Sequence, residues 1–262
     1  MSQLSTCFTQ NQFCVLVEYL CSMKEILPVK TQFAGFPALM TLADRVHADD
    51  DLAPIIAAQA YPKHVEKVLH FAGKGRDISD FEQFLNKAQA IGQQNLLLLT
   101  GDKLKNHHKG KDSSERTRYL ESVNAVMAAK QHGDFCVGVA FNPFKYAEAE
   151  RDAQYLKLHK KLKAGADYII SQLGYDLSAL KEAKAFLTQH GYSQKILACV
   201  MPLTLGRANF IVKHQVAGIV ITPYMLKILG EEKESGLTDR VYLRCALQIL
   251  ICEQLGFAGV HL

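Results

Sequence analysis

The chain has 262 residues, of which 48% are hydrophobic and 21% are charged, a composition typical of globular proteins. Its formal net charge of +4 is too small to indicate nucleic acid as the main partner, although it is compatible with a local basic site for a phosphorylated ligand. No apolar run reaches transmembrane length, and the seven cysteines include no CxxC pair and follow no visible signal peptide. A protein without a membrane partner, in a reducing cytoplasmic compartment, is therefore expected.

Apolar runs of strand length recur along the chain. The run Asn95–Thr100 reads NLLLLT and shows no alternation of polar and apolar residues, so both of its faces are predicted to be covered, as in a central parallel strand. The predicted strands are Phe13–Glu18, Pro37–Ala43, Val65–Phe71, Asn95–Thr100, Phe135–Phe141, Asp167–Gln172, Ile196–Met201 and Phe257–Leu262, with an additional strand-like run at Ala217–Thr222.

Helical patterns lie between these runs, at Ser79–Gly92, Glu148–Ala164 and Leu177–His190. The second of them is predicted to turn an apolar face inward and its lysines outward. That face comprises Tyr155, Leu156, Leu158 and Leu162.

The alternation of strands and helices indicates a parallel sheet. Eight or nine strands in one chain of this length favour a (β/α)8 barrel, formed by a single domain over residues 1–262. A complete barrel adds a helix after its last strand. Because the last predicted strand ends at Leu262, we expect that this closing helix is absent or that a partner covers the gap.

Polar groups stand at the ends of several predicted strands. The carboxyl ends of barrel strands converge at one mouth, where the chemistry of such folds is found. An acid, an imidazole, a second acid and two amides are therefore predicted to meet there. Each alone is ordinarily a turn cap or a hydrogen-bonded filler, but their joint occurrence favours a site. The groups are Glu18, His70, Thr100-Gly101-Asp102, Asn142-Pro143 and Gln172.

Several other kinds of site find no support. The sequence has no HExxH motif or Cys/His cluster with metal-ligand spacing, so no metal site is expected. It has no GxGxxG, no P-loop and no GxSxG. Two basic stretches, Lys103–Arg118 and Arg151–Lys163, are ordinarily solvated faces, but one or two of their cations could pair with a diphosphate or a polyglutamate tail.

Four blocks of sequence carry a family resemblance. "LLLLTGD", "RYLESV", "VGVAFNP" and "KKLKAGADYIISQLGYD", in that order, resemble the methylenetetrahydrofolate reductase family. The similarity is good from about residue 13 to residue 200 and looser beyond. The form with Thr before Gly-Asp resembles the short bacterial, acetogen-like branch of that family.

The resemblance implies a flavoprotein oxidoreductase of one-carbon metabolism and methionine biosynthesis. Such a (β/α)8 barrel binds FAD and interconverts 5,10-methylene- and 5-methyltetrahydrofolate by hydride transfer, with NAD(P)H or a partner electron-transfer protein as donor; a homo-oligomer is expected. By position, Glu18 matches the general acid, Asp102 the aspartate that bonds the pterin, and Gln172 the glutamine that contacts folate and nicotinamide in turn. The positions that match FAD contacts are His70, Gly101, Tyr119, Asn142 and Lys161.

The chain departs from the family pattern at specific positions. Glu18 is followed by Tyr19-Leu20-Cys21 instead of two prolines, and Gln154 stands where the family has an aspartate that helps to hold FAD. Weaker FAD binding is therefore expected. Two alternatives stay open: a non-catalytic folate-binding or scaffold barrel that has lost the flavin, and a pterin-binding methyltransferase barrel that hands a methyl group to a corrinoid partner.

Overall fold

The structure is a computed structural model that describes residues 2–19, 28–44, 52–100, 119–216 and 218–262. Its strands are β1 (Cys14–Tyr19), β2 (Gln32–Phe33), β3 (Phe36–Leu42), β4 (Lys67–Ala72), β5 (Asn95–Leu99), β6 (Cys136–Phe141), β7 (Tyr168–Leu173), β8 (Lys195–Cys199) and β9 (Gly259–His261). Its helices are α1 (Gln3–Thr9), α2 (Pro54–Ala60), α3 (Ile78–Ala90), α4 (Ser122–His132), α5 (Glu148–Lys163), α6 (Leu177–Gln189), α7 (Leu205–His214), α8 (Pro223–Glu234) and α9 (Arg240–Gln254).

Eight parallel strands form a closed barrel, which confirms the predicted fold. β3 to β9 pair in chain order, and β1 closes the ring because it pairs with both β9 and β3. Each predicted barrel strand corresponds to an observed one. The antiparallel hairpin of β2 with β3 was not predicted, because a two-residue strand leaves no periodic pattern in the sequence.

Helix α1 packs against the amino-terminal end of the barrel. Its Leu4 and Cys7 are buried together with the interior side chains Leu16 and Leu197. Glu66 fixes this helix from outside by accepting hydrogen bonds from the backbone at Gln3 and Leu4. Helix α1 therefore covers the amino-terminal end of the barrel, and the end that opens to solvent is the one at the carboxyl ends of the strands.

A glycine and a tyrosine on neighbouring strands together fill the middle of the barrel. Tyr168 is fully buried, and its hydroxyl donates a hydrogen bond to the Leu96 carbonyl at 2.8 Å. A Cβ at Gly138 would lie 2.2 Å from the Tyr168 ring. The ring therefore occupies space that only glycine leaves open.

We predict that Gly138→Ala destabilises the fold by about 1–3 kcal/mol, the usual cost of overpacking a core. Gly230→Ala is the matched control, because Gly230 lies in α8 and, apart from its own helix backbone, no atom of the described residues lies within 4 Å of an added Cβ. That variant should be neutral or more stable by up to about 1 kcal/mol, since alanine favours helix. Urea unfolding of both variants measures the difference. Equal stability of the two would contradict this account of the barrel interior.

Two details of the sequence interpretation are wrong. Leu156 does not face inward: it is 56% exposed on α5, whereas Leu158 and Leu162 are buried. The run at Ala217–Thr222 forms no strand over its described residues, which connect α7 to α8. The barrel is already closed and offers no edge for a further strand, so Ile219 and Ile221 pack against a small apolar cluster around Leu203 instead.

The last strand of the barrel is β9, and no helix follows it within the described residues. None of the helices described is long and apolar enough to cross a membrane.

Candidate active site

The strand register brings four polar side chains to one sector of the barrel mouth. Glu18 on β1 stands directly beside Thr41 on β3, and His261 on β9 stands beside Cys199 on β8. Glu18 is two residues beyond Leu16, which pairs with His261 and faces the interior. Side chains two residues apart on a strand share a face, so all four point into the barrel.

These groups form a compact cluster with His70, which we call the Glu18 cluster: Glu18, Thr41, His70, Cys199 and His261. Glu18 Oε2 lies 3.6 Å from His261 Nε2 and 3.9 Å from His70 Nδ1. The Thr41 hydroxyl lies 3.0 Å from the same His261 nitrogen. The sequence prediction that Glu18 and His70 meet at the mouth therefore agrees with the geometry.

The cluster joins one partly exposed carboxyl group to buried neutral groups. The Glu18 side chain is 34% exposed, although it lies near the end of an apolar strand. Burial lowers the pKa of His70 to about 3, with a further contribution from His261. Burial also lowers the pKa of His261 to about 4. Both imidazoles are thus uncharged at neutral pH, and the carboxyl group is accessible to a ligand in the mouth.

The two ring nitrogens of His70 differ in their surroundings. His70 Nε2 is buried and has no hydrogen-bond partner in the described part of the chain. Buried polar groups are usually paired, so this nitrogen keeps hydrogen-bonding capacity that the described residues do not use. This is the feature that best fits the flavin contact expected at His70.

A metal ion fits the same residues less well. One ligand atom each from Glu18, His70 and His261 lies within 4.8 Å of the others. Zinc bonds of about 2.1 Å in tetrahedral geometry place ligand atoms about 3.4 Å apart, so the 3.6 and 3.9 Å separations found here would need only a small contraction. What opposes a metal is that one of the ligand atoms already has a partner. Thr41 already contacts His261 Nε2. We therefore interpret the cluster as a group that handles a proton.

Two predicted amides meet on the opposite sector of the mouth. Asn142 Nδ2 donates a hydrogen bond to the Gly218 carbonyl at 3.1 Å. A Cβ at Gly218 would lie 2.8 Å from Asn142 Nδ2 and 3.1 Å from Gln172 Nε2. The φ angle of Gly218, +77°, also favours glycine. Gln172 Oε1 accepts from the backbone N–H of Leu173 at 2.8 Å. The loop between α7 and α8 thus bonds Asn142 through Gly218 and lies close to the Gln172 amide.

Lys161 reaches the mouth from α5. Its Nζ donates a hydrogen bond to the Ala140 carbonyl at 2.7 Å, two residues before Asn142 on the same strand end. Burial lowers the pKa of Lys161 to about 8, and the nearby Lys157 adds to this effect. The ammonium group is still mainly protonated at neutral pH, so it can supply a positive charge next to the amides.

The remaining predicted residues lie around β5. Tyr119 is 43% exposed and pairs as an isolated bridge with Lys74, just after β4. A hydrogen bond with Thr100 links it to the end of β5. Gly101 and Asp102 lie outside the described residues, and so does the basic stretch Lys103–Arg118.

Sequence reasoning missed three members of the Glu18 cluster, namely Thr41, Cys199 and His261. Thr41 and His261 lie one or two residues before the ends of their predicted strands, as His70 does. Their positions near strand ends are the signal that could have identified them. Cys199 gave no such signal, because cysteine is an ordinary small filler of barrel interiors.

Comparison of the sequence with known proteins gives a consistent result. The methylenetetrahydrofolate reductase family model matches residues 30–259. Methylenetetrahydrofolate reductase 1 of Schizosaccharomyces pombe is 24% identical over 201 residues, which are 75% of this chain and 32% of that protein. Methylenetetrahydrofolate reductase 2 of Saccharomyces cerevisiae is 27% identical over 145 residues, 53% of this chain and 24% of that protein. The chain thus spans about a third or less of the length of these curated relatives.

Solved structures resemble this one in fold. A protein from Clostridium thermocellum, described as binding two copies of 5-methyl-5,6,7,8-tetrahydrofolic acid, superposes with a TM-score of 0.64 at 12% identity. The match covers 98% of this chain and 92% of that chain. A 2,3-dimethylmalate lyase superposes with a TM-score of 0.52 at 11% identity, over 98% of this chain and 76% of the lyase. Since the family model covers most of the barrel, this chain belongs to the methylenetetrahydrofolate reductase family.

Proposed function

We propose that this chain is an FAD-dependent reductase that interconverts 5,10-methylene- and 5-methyltetrahydrofolate by hydride transfer. A single FAD-binding domain over residues 1–262 would carry this activity, with NAD(P)H or a partner electron-transfer protein as donor. The observation that supports it most is the position of Glu18: an accessible carboxyl group between two neutral imidazoles, at the mouth of a family barrel.

The reaction explains why a carboxyl group is needed there. Opening the methylene bridge breaks a carbon–nitrogen bond, so the carbon takes a hydride and the nitrogen takes a proton. Bound FAD supplies the hydride chemistry, as cofactors do, while the protein orients the substrate and handles the proton. Glu18 is the group in position to give that proton. The uncharged His70 and His261 add no positive charge that would hold it as a carboxylate.

The residues around the mouth also suit a flavin. His70 Nε2 offers a ring nitrogen with no hydrogen-bond partner among the described residues, Asn142 and Gln172 offer amides, and Lys161 offers a cation. Asp102 is proposed to bond the pterin and Gly101 and Tyr119 to contact FAD, on the strength of the family resemblance.

Substitution of Lys161 by methionine tests whether the ammonium group of Lys161 contributes to FAD binding. Lys161→Met keeps the buried stem but removes the charge, and a charge-assisted bond of about 1.5–3 kcal/mol would be lost. The dissociation constant of FAD, measured by quenching of flavin fluorescence, should rise about ten- to a hundredfold. Lys160→Met is the control, because Lys160 is exposed on the same helix. If both variants bind FAD equally, Lys161 has no role in holding the flavin.

Reconstitution separates the proposed function from its alternatives. The purified chain should take up FAD, show the absorbance of oxidised flavin, and have that flavin reduced by NADH, NADPH or a supplied electron-transfer protein. Binding of 5-methyltetrahydrofolate by a chain that takes up no flavin would instead favour the non-catalytic folate-binding barrel. That alternative has support from the fold match to a folate-binding protein. Methyl transfer to added cobalamin without flavin would favour the methyltransferase.

A further inference from the structure

His261 stands at the centre of the Glu18 cluster, where it contacts Glu18, Thr41 and Cys199. Its side chain is buried, and its two ring nitrogens face different partners. Nε2 lies 3.0 Å from the Thr41 hydroxyl and 3.6 Å from Glu18 Oε2. Nδ1 lies 3.8 Å from Cys199 Sγ. Each contact comes from a different strand, so the ring is fixed in one orientation.

The partners determine which nitrogen carries the proton. Burial raises the pKa of the Cys199 thiol to about 12, with the negative charge of Glu18 acting in the same direction. Cys199 therefore keeps its S–H proton, and a thiol beside Nδ1 donates to it. Nε2 faces two oxygen atoms, the better acceptors. This arrangement favours the neutral ring that carries its proton on Nε2, directed between Thr41 and Glu18.

We propose that His261 is a positioning residue for Glu18: held between Thr41 and Cys199, it directs an Nε2–H toward the carboxyl group and fixes that group toward the mouth. A movement of about half an ångström converts the present 3.6 Å separation into a hydrogen bond. The role of this contact in turnover rests on the proposed function, because Glu18 needs its proton only if it acts as an acid.

The charge state of the surroundings makes this arrangement suitable for an acid. The titratable groups that face His261 from the described strands are Glu18 on β1, His70 on β4 and Cys199 on β8. His70 and Cys199 are uncharged at neutral pH. A neutral N–H donor stabilises the carboxylate that forms after proton transfer, but less than a fixed cation would. Glu18 can therefore both hold and release a proton.

The titration of Glu18 tests this assignment directly. In protein labelled with [5-13C]glutamate, the Glu18 signal is identified by its absence in Glu18→Gln. His261→Ala removes the N–H donor, so the midpoint of the Glu18 titration should rise by about one pH unit, the size expected for one hydrogen bond to a charged group. His261→Gln retains an N–H donor and should recover most of the shift. His214→Gln, an exposed histidine in the last turn of α7, is the control and should cause none.

A midpoint that stays the same or falls in a folded His261→Ala protein would mean that the ring only fills space or excludes water. If that variant does not fold, two other tests remain. Thr41→Val removes the hydroxyl that holds the His261 ring and keeps the shape of the side chain at position 41. NMR of [15N]histidine in the parent protein shows which ring nitrogen of His261 is protonated. A proton on Nδ1, or stoichiometric zinc binding that His261→Gln abolishes, would also overturn the proposal.

The outcome is separable from the proposed function, because the titration requires neither flavin nor folate. If the midpoint shifts but the protein has no folate turnover, the positioning holds and the reductase assignment fails. If the protein turns over folate and the midpoint does not shift, only the positioning fails. When both hold, His261→Ala should lower kcat for folate about tenfold with little change in KM or in FAD affinity.

Discussion

Glu18→Gln is expected to slow folate turnover at least about a hundredfold, equivalent to about 2.7 kcal/mol of transition-state stabilisation, while FAD stays bound. Glutamine has the same shape as glutamate but has no acidic proton to give. Because the Glu18 side chain is partly exposed beside two buried neutral histidines, the substitution should disturb packing little. Stopped-flow measurement of the folate reaction, with flavin content determined in parallel, gives both quantities.

A control glutamate makes the comparison specific. Glu148 lies in the first turn of α5 and is exposed, so Glu148→Gln should turn over folate at the parental rate. If Glu18→Gln works within about threefold of the parent, the proton comes from elsewhere and the assignment of the general acid is wrong. Loss of flavin together with activity would point instead to a role of Glu18 in holding the cofactor.

Asp44→Ala is expected to lower the free energy of unfolding by about 3–5 kcal/mol, the usual cost of leaving a buried charge unpaired. Asp44 follows β3 and its side chain is completely buried. Its carboxylate accepts hydrogen bonds from Arg76, at 3.0 Å to Nη2, and from the Ala72 backbone at 2.8 Å. Arg76 in turn lies 4.7 Å above the Phe71 ring. The alanine variant would leave the guanidinium group of Arg76 and the Ala72 N–H without their acceptor.

An exposed ion pair provides the comparison. Glu150 pairs with Lys145 at 3.2 Å, but its side chain is 59% exposed. Glu150→Ala should therefore cost at most about 1 kcal/mol. Denaturant unfolding followed by two independent probes measures both variants. A cost below about 1 kcal/mol for Asp44→Ala would show that Asp44 does not fix the ends of β3 and β4, where Thr41 and His70 enter the site.

The barrel could be predicted because each of its strands is recognisable from a local run of apolar residues. The run NLLLLT by itself indicates a strand that is covered on both faces, and the other barrel strands are recognisable as apolar runs of strand length. Ala217–Thr222 has an equally apolar pattern but is not a strand, because whether an edge is available depends on all eight strands at once. The sequence therefore indicates which segments are apolar, but the closed sheet decides which of them pair.

The site was predicted only in part, for a related reason. Glu18 and His70 could be proposed from their positions at strand ends. The contact of Thr41 with His261 joins residues 220 positions apart and exists only because β9 closes onto β1. Likewise, the neutral state of both imidazoles results from their burial, and His70 Nε2 lacks a partner among the described residues because of the orientation of its ring. Neither burial nor orientation is visible in the pattern of residues.

Anaerobic mixing of the FAD-reconstituted chain with 5-methyltetrahydrofolate tests the central claim most directly. We predict that the absorbance of oxidised flavin is lost as 5,10-methylenetetrahydrofolate forms in equal amount, and that Glu18→Gln slows this loss at least about a hundredfold. Tight binding of 5-methyltetrahydrofolate with no change in the flavin spectrum would contradict the assignment of this barrel as a reductase.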